Sequence, residues 1–182
     1  MGFLDRFRKT RSEPELDPLA DLVLAKLKVG YLVDYDLRTW VVTEYSRYSF
    51  NGGRTAEEWE LTEGTDKLYL ERSEQGDAWS LSKTIPLGAL GTGVRQHILD
   101  HDEAPEQVTY KGTVYYLDDS AGGELVSADG KERKELIQWE FLDEDEEGFV
   151  SIVQWSETEL SAVAGHFVEE YQFTDILPGE ST

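Results

Sequence analysis

The chain of 182 residues is 39% hydrophobic and 12% aromatic, enough apolar mass for a core and too much for wholesale disorder, with a bias toward sheet. It has no cysteine, which excludes disulfides, thiolate metal sites and cysteine nucleophiles. A formal net charge of −21, from 38 acidic and 17 basic side chains, argues against direct nucleic-acid binding and favours cations, polyamines or basic protein surfaces as partners.

Residues 1–15 read as a basic, flexible tail. Phe3, Leu4 and Phe7 fall on one side of a helical wheel, with Arg6, Arg8 and Lys9 mostly elsewhere, so they are the candidate contacts with an anionic membrane surface or a partner. The first twelve residues hold four bases and one acid, leaving 37 acids and 13 bases on the rest, or 13 − 37 = −24. No secretory apolar core follows the first residues, and no apolar run reaches the roughly 18–20 residues a membrane-spanning helix needs. Gly2 is followed at position 6 by Arg rather than the Ser or Thr of a myristoylation motif. The expected location is cytoplasmic, with peripheral attachment at the inner face of the membrane as a variant.

Residues 16–28 carry helix signals. Asp17 suits an N-cap and Pro18 the first helical position, and Leu19, Leu22, Val23 and Leu27 recur at helical spacing before Gly30. From Val33 the period changes to two. Thr39–Thr43 is β-branched and aromatic, and Trp59/Leu61, Leu68/Leu70 and Trp79/Leu81 alternate with polar residues or Tyr69. Turn residues at Asn51-Gly52-Gly53, Glu63-Gly64-Thr65-Asp66 and Gln75-Gly76-Asp77 join these runs as antiparallel hairpins. Residues 29–88 form a first β-unit, 89–104 a polar connector with room for one helical turn, and 105–179 a second β-unit, all within one compact domain.

The second unit repeats the order of the first. Val33-Asp34-Tyr35 and Thr39–Val42 lie on Val108-Thr109-Tyr110 and Val114–Leu117 at an offset of 108 − 33 = 75. Glu58-Trp59-Glu60-Leu61 lies on Gln138-Trp139-Glu140-Phe141 at an offset of 138 − 58 = 80. The difference falls in a loop, where insertions cost little closure entropy. Thr84-Ile85-Pro86 also resembles Asp175-Ile176-Leu177-Pro178. The expected fold is mainly β: two tandem antiparallel β-units, arranged as a pseudo-twofold sandwich or as partly open barrels, with one N-terminal helix.

These strand and turn signatures, together with Val29–Tyr35, Leu68–Glu71, Val108–Tyr115 and Ala164-Gly165, resemble the bacterial family called domain of unknown function 4178 over residues 29–178. The resemblance implies a fold and no catalytic residues. It also implies an association with membrane-stress proteins of the phage-shock type, polyamine-synthesis enzymes and small membrane proteins.

Few constellations carry chemistry. His97 and His101, four apart with Asp100 and Asp102 beside them, are weak candidates for a metal site; a solvated connector is the simpler reading. His166 has no nucleophile partner in the sequence, and the run Asp143–Glu147 reads as a solvated hairpin tip. The five Trp side chains read as core or sheet-face packing, with cation–π capture of an ammonium as the functional alternative. Gly88–Gly93 lacks the phosphate-loop Lys and the dinucleotide spacing, and no cofactor is expected. The function expected is a non-catalytic binding or scaffold module for a cationic or membrane-associated partner, in a membrane-stress or polyamine-linked setting. A second copy of the chain is a further candidate partner. The alternatives are an enzyme with a cleft between the two units using His97, His101 or His166, and an acidic mimic of nucleic acid.

Overall fold

The computed structural model describes residues 22–75 and 78–179. The strands are β1 (Leu32–Tyr35), β2 (Arg38–Phe50), β3 (Thr55–Glu63), β4 (Asp66–Ser73), β5 (Trp79–Ile85), β6 (Gln107–Tyr110), β7 (Thr113–Ser127), β8 (Arg133–Leu142), β9 (Gly148–Gln154), β10 (Leu160–Val168) and β11 (Thr174–Leu177). One α-helix, α1 (Val94–His101), lies between β5 and β6. The two-residue hairpins β1–β2 and β6–β7 turn on Asp36-Leu37 and Lys111-Gly112, all four at positive φ, the geometry that matches strand twist.

Around the sheet the order β2-β3-β4-β5-β10-β9-β8-β7 returns to β2, because Ser46–Phe50 also pairs with Gly123–Ser127. The result is one closed antiparallel barrel of eight strands, built by both halves of the chain together. This corrects the expectation of a sandwich or of partly open barrels: the β2–β7 and β5–β10 seams join segments far apart in sequence, which local periodicity cannot reveal. Glycines lie at both seams. A Cβ on Gly123 would sit 2.5 Å from the Ser49 carbonyl oxygen, and one on Gly165 2.4 Å from that of Leu81. Outside the barrel, β1 pairs with the first part of β2 and carries β11, while β6 pairs with the first part of β7.

Registers recur along the chain. Leu32 faces Val41 and Tyr35 faces Arg38; Gln107 faces Tyr116 and Tyr110 faces Thr113, each 75 residues later (107 − 32 and 116 − 41). In β2 one extra residue, Thr43, separates Val42, opposite Leu61, from Glu44, opposite Glu60. In β7 the extra residue is Asp118, between Leu117, opposite Phe141, and Asp119, opposite Glu140. These bulges reverse which parity of side chain faces inward.

The main core lies on the outside of the barrel wall. Trp59, Leu61, Leu70, Trp79 and Leu81 point outward and are covered by Leu24, Leu27, Val33 and Phe173. Trp139, Phe141, Val150 and Ile152 point outward in the other half and are covered by Leu90, Val94, Ile98 and Val108. A smaller cluster of Tyr48, Ala56 and Leu136, flanked by Phe50, Leu125 and Val153, lies inside, against the β2–β7 seam.

Two further expectations change. Over residues 22–28 the chain makes only a 3-10 turn, Leu24–Lys26, flanked by extended backbone at Val23 and Leu27. Laid flat in this way, Leu24 and Leu27 both bury, and Trp59 Nε1 donates to the Leu27 carbonyl at 3.0 Å. The earlier part of the expected helix, residues 16–21, lies outside the described residues. Thr84-Ile85-Pro86 closes barrel strand β5, whereas Asp175–Leu177 belongs to β11 outside the barrel, so those two segments do not occupy matching places.

With the core outside the wall, Trp59→Ala and Phe141→Ala should each cost about 3–5 kcal/mol of unfolding free energy. Tyr116→Ala, on an exposed side chain, should stay within about 0.5 kcal/mol. Urea unfolding of the three variants checks this; equal losses would contradict the assignment.

Candidate functional site

The lumen encloses a cavity of about 500 Å³. Its polar lining follows from strand parity after the bulges. On β3 the inward residues are Ala56, Glu58 and Glu60; on β4 they are Tyr69, Glu71 and Ser73. On β8 and β9 they are Gln138, Glu140, Ser151 and Val153, and on β5 they are Ser80, Ser82 and Thr84.

Carboxyl groups dominate this lining. Glu58 and Glu71 are direct cross-strand partners, Glu44 faces Glu60, and Asp119 faces Glu140. Like charges placed directly opposite destabilise a sheet, so these pairs need a proton or a cation between them. Two have cations from the chain at the rims: Lys67 Nζ reaches Glu60 Oε2 at 2.8 Å, and Arg54 Nη2 reaches Asp119 Oδ2 at 2.7 Å. Glu58 has only the Tyr48 hydroxyl, which donates to Oε2 at 3.3 Å. Among the described residues no hydrogen-bond donor or cation meets Glu71.

The physical consequence is a set of weakened acids. Burial pushes the Glu71 carboxyl up to about 8, helped by the charges of Glu58 and Glu140. Burial likewise pushes Glu58 up to about 7, against the lowering effect of the Tyr48 hydrogen bond. Glu140 is raised by burial and by Asp118 and Asp119, with Arg54 opposing. All three side chains are half-buried, and the surface they keep faces the lumen. Burial also raises the Tyr48 phenol far above its ordinary value, which keeps it a proton donor.

The candidates read from sequence fall elsewhere. His97 and His101 lie on α1 with rings stacked at 4.5 Å, and the His97 carbonyl oxygen accepts from the His101 ring Nδ1 at 2.9 Å. Asp100 accepts from Gln96 at 2.7 Å, and no cluster of three or more His, Asp or Glu among the described residues is arranged to hold a metal ion. The helix covers the outer core through Val94 and Ile98, so this pair is remote from the lumen. His166 points away from the lumen and meets Tyr35 Oη at 3.2 Å. Asp143 caps the β8–β9 turn, accepting from the Glu147 and Gly148 amides at 3.0 Å each. Phe3, Leu4, Arg6, Phe7, Arg8 and Lys9 lie outside the described residues. Sequence reasoning missed Glu58, Glu71 and Glu140 as a site. Their one signal was a carboxylate beside a strand hydrophobic (Trp59, Leu70, Trp139), which equally describes a solvated face.

Fold and lining together define a closed antiparallel β-barrel with an acidic lumen and an externally covered wall. The chain belongs to the family described as domain of unknown function (DUF4178), whose model matches residues 28–170. It is 30% identical over 181 residues to an uncharacterized protein of Aquifex aeolicus (strain VF5), covering 98% of this chain and 99% of that one. No solved structure matches it. No described helix is long and apolar enough to cross a membrane.

A carboxyl whose folded value is raised binds a proton in the native state over a pH range where the unfolded chain has already lost it. Its contribution is therefore fully present at low pH and declines as pH rises from the ordinary value of 4.5 toward about 8. Glu71→Gln should hold its melting temperature better than the wild type between pH 5 and about 8, the two curves converging near pH 5. Parallel curves across that window would contradict the placement of Glu71.

Proposed function

We propose that this protein is a non-catalytic binding module whose barrel lumen takes a small organic cation. The observation that carries this reading is the Glu58–Glu71 pair, two facing carboxyl groups in the barrel lumen with no cation of the described residues between them. Inside such a cavity a charge-assisted hydrogen bond from an ammonium is stronger than on the surface, and it relieves the repulsion between the carboxylates. The acidic composition favours the same class of ligand, polyamines included, and steers cations toward the barrel. The positions of His97, His101 and His166 give no support to an enzyme built on them, because all three lie outside the lumen.

The barrel itself reads as a fused pair of related β-units. The recurring registers support this: β1–β2 and β6–β7 pair alike at an offset of 75, and the one extra residue of β2, Thr43, has its counterpart in β7 at Asp118, at the same offset (118 − 43). Halves of family sequences aligned in these registers should score above shuffled halves; scores no better than shuffled would remove the duplication.

In a thermal-shift measurement, n-propylammonium chloride should raise the melting temperature of the wild type more than 1-propanol or potassium chloride at equal concentration. The double variant Glu58→Gln/Glu71→Gln should lose that difference. An equal shift in the double variant, or from potassium chloride, would refute a lumen cation site.

A further inference from the structure

The chain balances only part of the charge inside its lumen. Six carboxyl groups line the cavity, those of Glu44, Glu58, Glu60, Glu71, Asp119 and Glu140. Among the described residues Lys67 pairs with Glu60 and Arg54 with Asp119, which leaves four of the six (6 − 2) without an ion pair. Glu44 is exposed, where water solvates it. Glu58 and Glu71 are the facing pair described above. Glu140 is the fourth: it is half-buried, and no hydrogen-bond donor or cation of the described residues meets its carboxyl. Arg54 acts on it only through space, from its place on Asp119.

These two unpaired stations lie on opposite walls. Glu71 is on β4 and Glu140 on β8, four strands apart whichever way round the barrel is followed. The inner face of β5 leads from one to the other. Ser80 faces Glu71, and Thr84 faces Val163, which continues through Ser151 to Glu140 on a single rung. Ser82 sits between Ser80 and Thr84 and is the diagonal neighbour of Glu71 across β4–β5. It is only 9% exposed and lines the lumen, and its hydroxyl has no hydrogen-bond partner among the described residues. Leaving a buried hydroxyl unpaired costs free energy, so one that faces a cavity marks a place for a ligand's polar group.

Resting on the lumen-cation reading above, we propose that the ligand is a short linear diammonium, with one ammonium at Glu58, Glu71 and Ser82 and the other at Glu140. A primary ammonium brings three N–H donors, enough for both facing carboxylates and the Ser82 oxygen. A monocation placed there leaves Glu140 without a counter-charge, whereas a second ammonium on the same chain reaches it at high effective concentration. Eight strands close around one small ligand, and the cavity of about 500 Å³ has room for a short diamine.

The test is isothermal titration of the full-length protein at pH 8 and fixed ionic strength. The probes are 1,4-diaminobutane, 1,5-diaminopentane and 4-amino-1-butanol, the last matching the first in size with one charge fewer. In the wild type the better diamine should bind about tenfold more tightly than the amino alcohol. Glu140→Gln should bring that diamine down to the level of the amino alcohol and leave the amino alcohol within about twofold of its wild-type affinity. Glu71→Gln should weaken all three about tenfold, and Ser82→Ala severalfold. The comparison of probes on the wild type stands whether or not a variant folds. An amino alcohol as tight as both diamines, or a diamine advantage that survives Glu140→Gln, would overturn the second station and leave the lumen-cation reading standing. Unchanged affinities in Ser82→Ala would overturn the placing of the first ammonium. No saturable heat with any amine, or full binding in Glu71→Gln, would overturn both readings.

Discussion

The extra residues at Thr43 and Asp118 decide what the barrel can be. Before each bulge, the even-numbered side chains Trp40 and Val42 of β2 face the outer cover; after it, Glu44, Ser46 and Tyr48 of the same parity face the lumen. β7 changes over between Leu117 and Asp119 in the same way. Without the changeover, the inward faces of β2 and β7 could not meet the inward faces of β3 and β8 in register, and the polar lumen would not close. An unusual division of labour follows. Most of the apolar packing lies outside the wall, under β1, β11, β6, α1 and the 3-10 turns, and the inside is left free for chemistry. The covering elements are therefore as necessary to stability as the barrel strands, because they bury Trp59, Phe141 and their neighbours from water.

An interior that does not carry most of the hydrophobic packing can hold carboxyl groups, but at a cost. Glu58 and Glu71 face each other across a ladder, inside a cavity, and the one donor to them among the described residues is the Tyr48 hydroxyl on Glu58. The arrangement is tolerable when a proton is shared, and better when a cation is present. Lys67 and Arg54 supply that cation at the rims. Each rim pair thus has one cation beside it, whereas Glu58 and Glu71 have none among the described residues. The seam glycines Gly123 and Gly165 matter here too, because they leave room for the facing backbones where the two halves pair.

Much of the strand content was legible in the sequence. The alternation of Trp59 and Leu61 with Glu58 and Glu60 marked a two-faced strand, and the structure has one there. Alternation cannot say what lies beyond the polar face. Glu58 and Glu60 read as solvent-facing because nothing local to β3 announces that β2 will pair with β7. The bulges are equally silent, since Thr43 and Asp118 are ordinary residues for a strand or a loop. The connector looked polar because α1 buries only Val94 and Ile98, too few positions for a strong helical period. At residues 22–28 the helical spacing was present, but two leucines gain more by lying flat across Trp59 than by coiling. The charge cluster Asp143–Glu147, prominent in the sequence, serves a turn.

The central claim is that Glu58 and Glu71 are weak acids because they share the barrel lumen with no cation of the described residues between them. Side-chain carboxyl ¹³C chemical shifts, followed from pH 3 to 9 in the amine-free protein, measure this directly. The account predicts that two glutamates, assigned by loss of their signals in Glu58→Gln and Glu71→Gln, titrate near 7 and 8 as a coupled pair. Ordinary titration of both near 4.5 would contradict it.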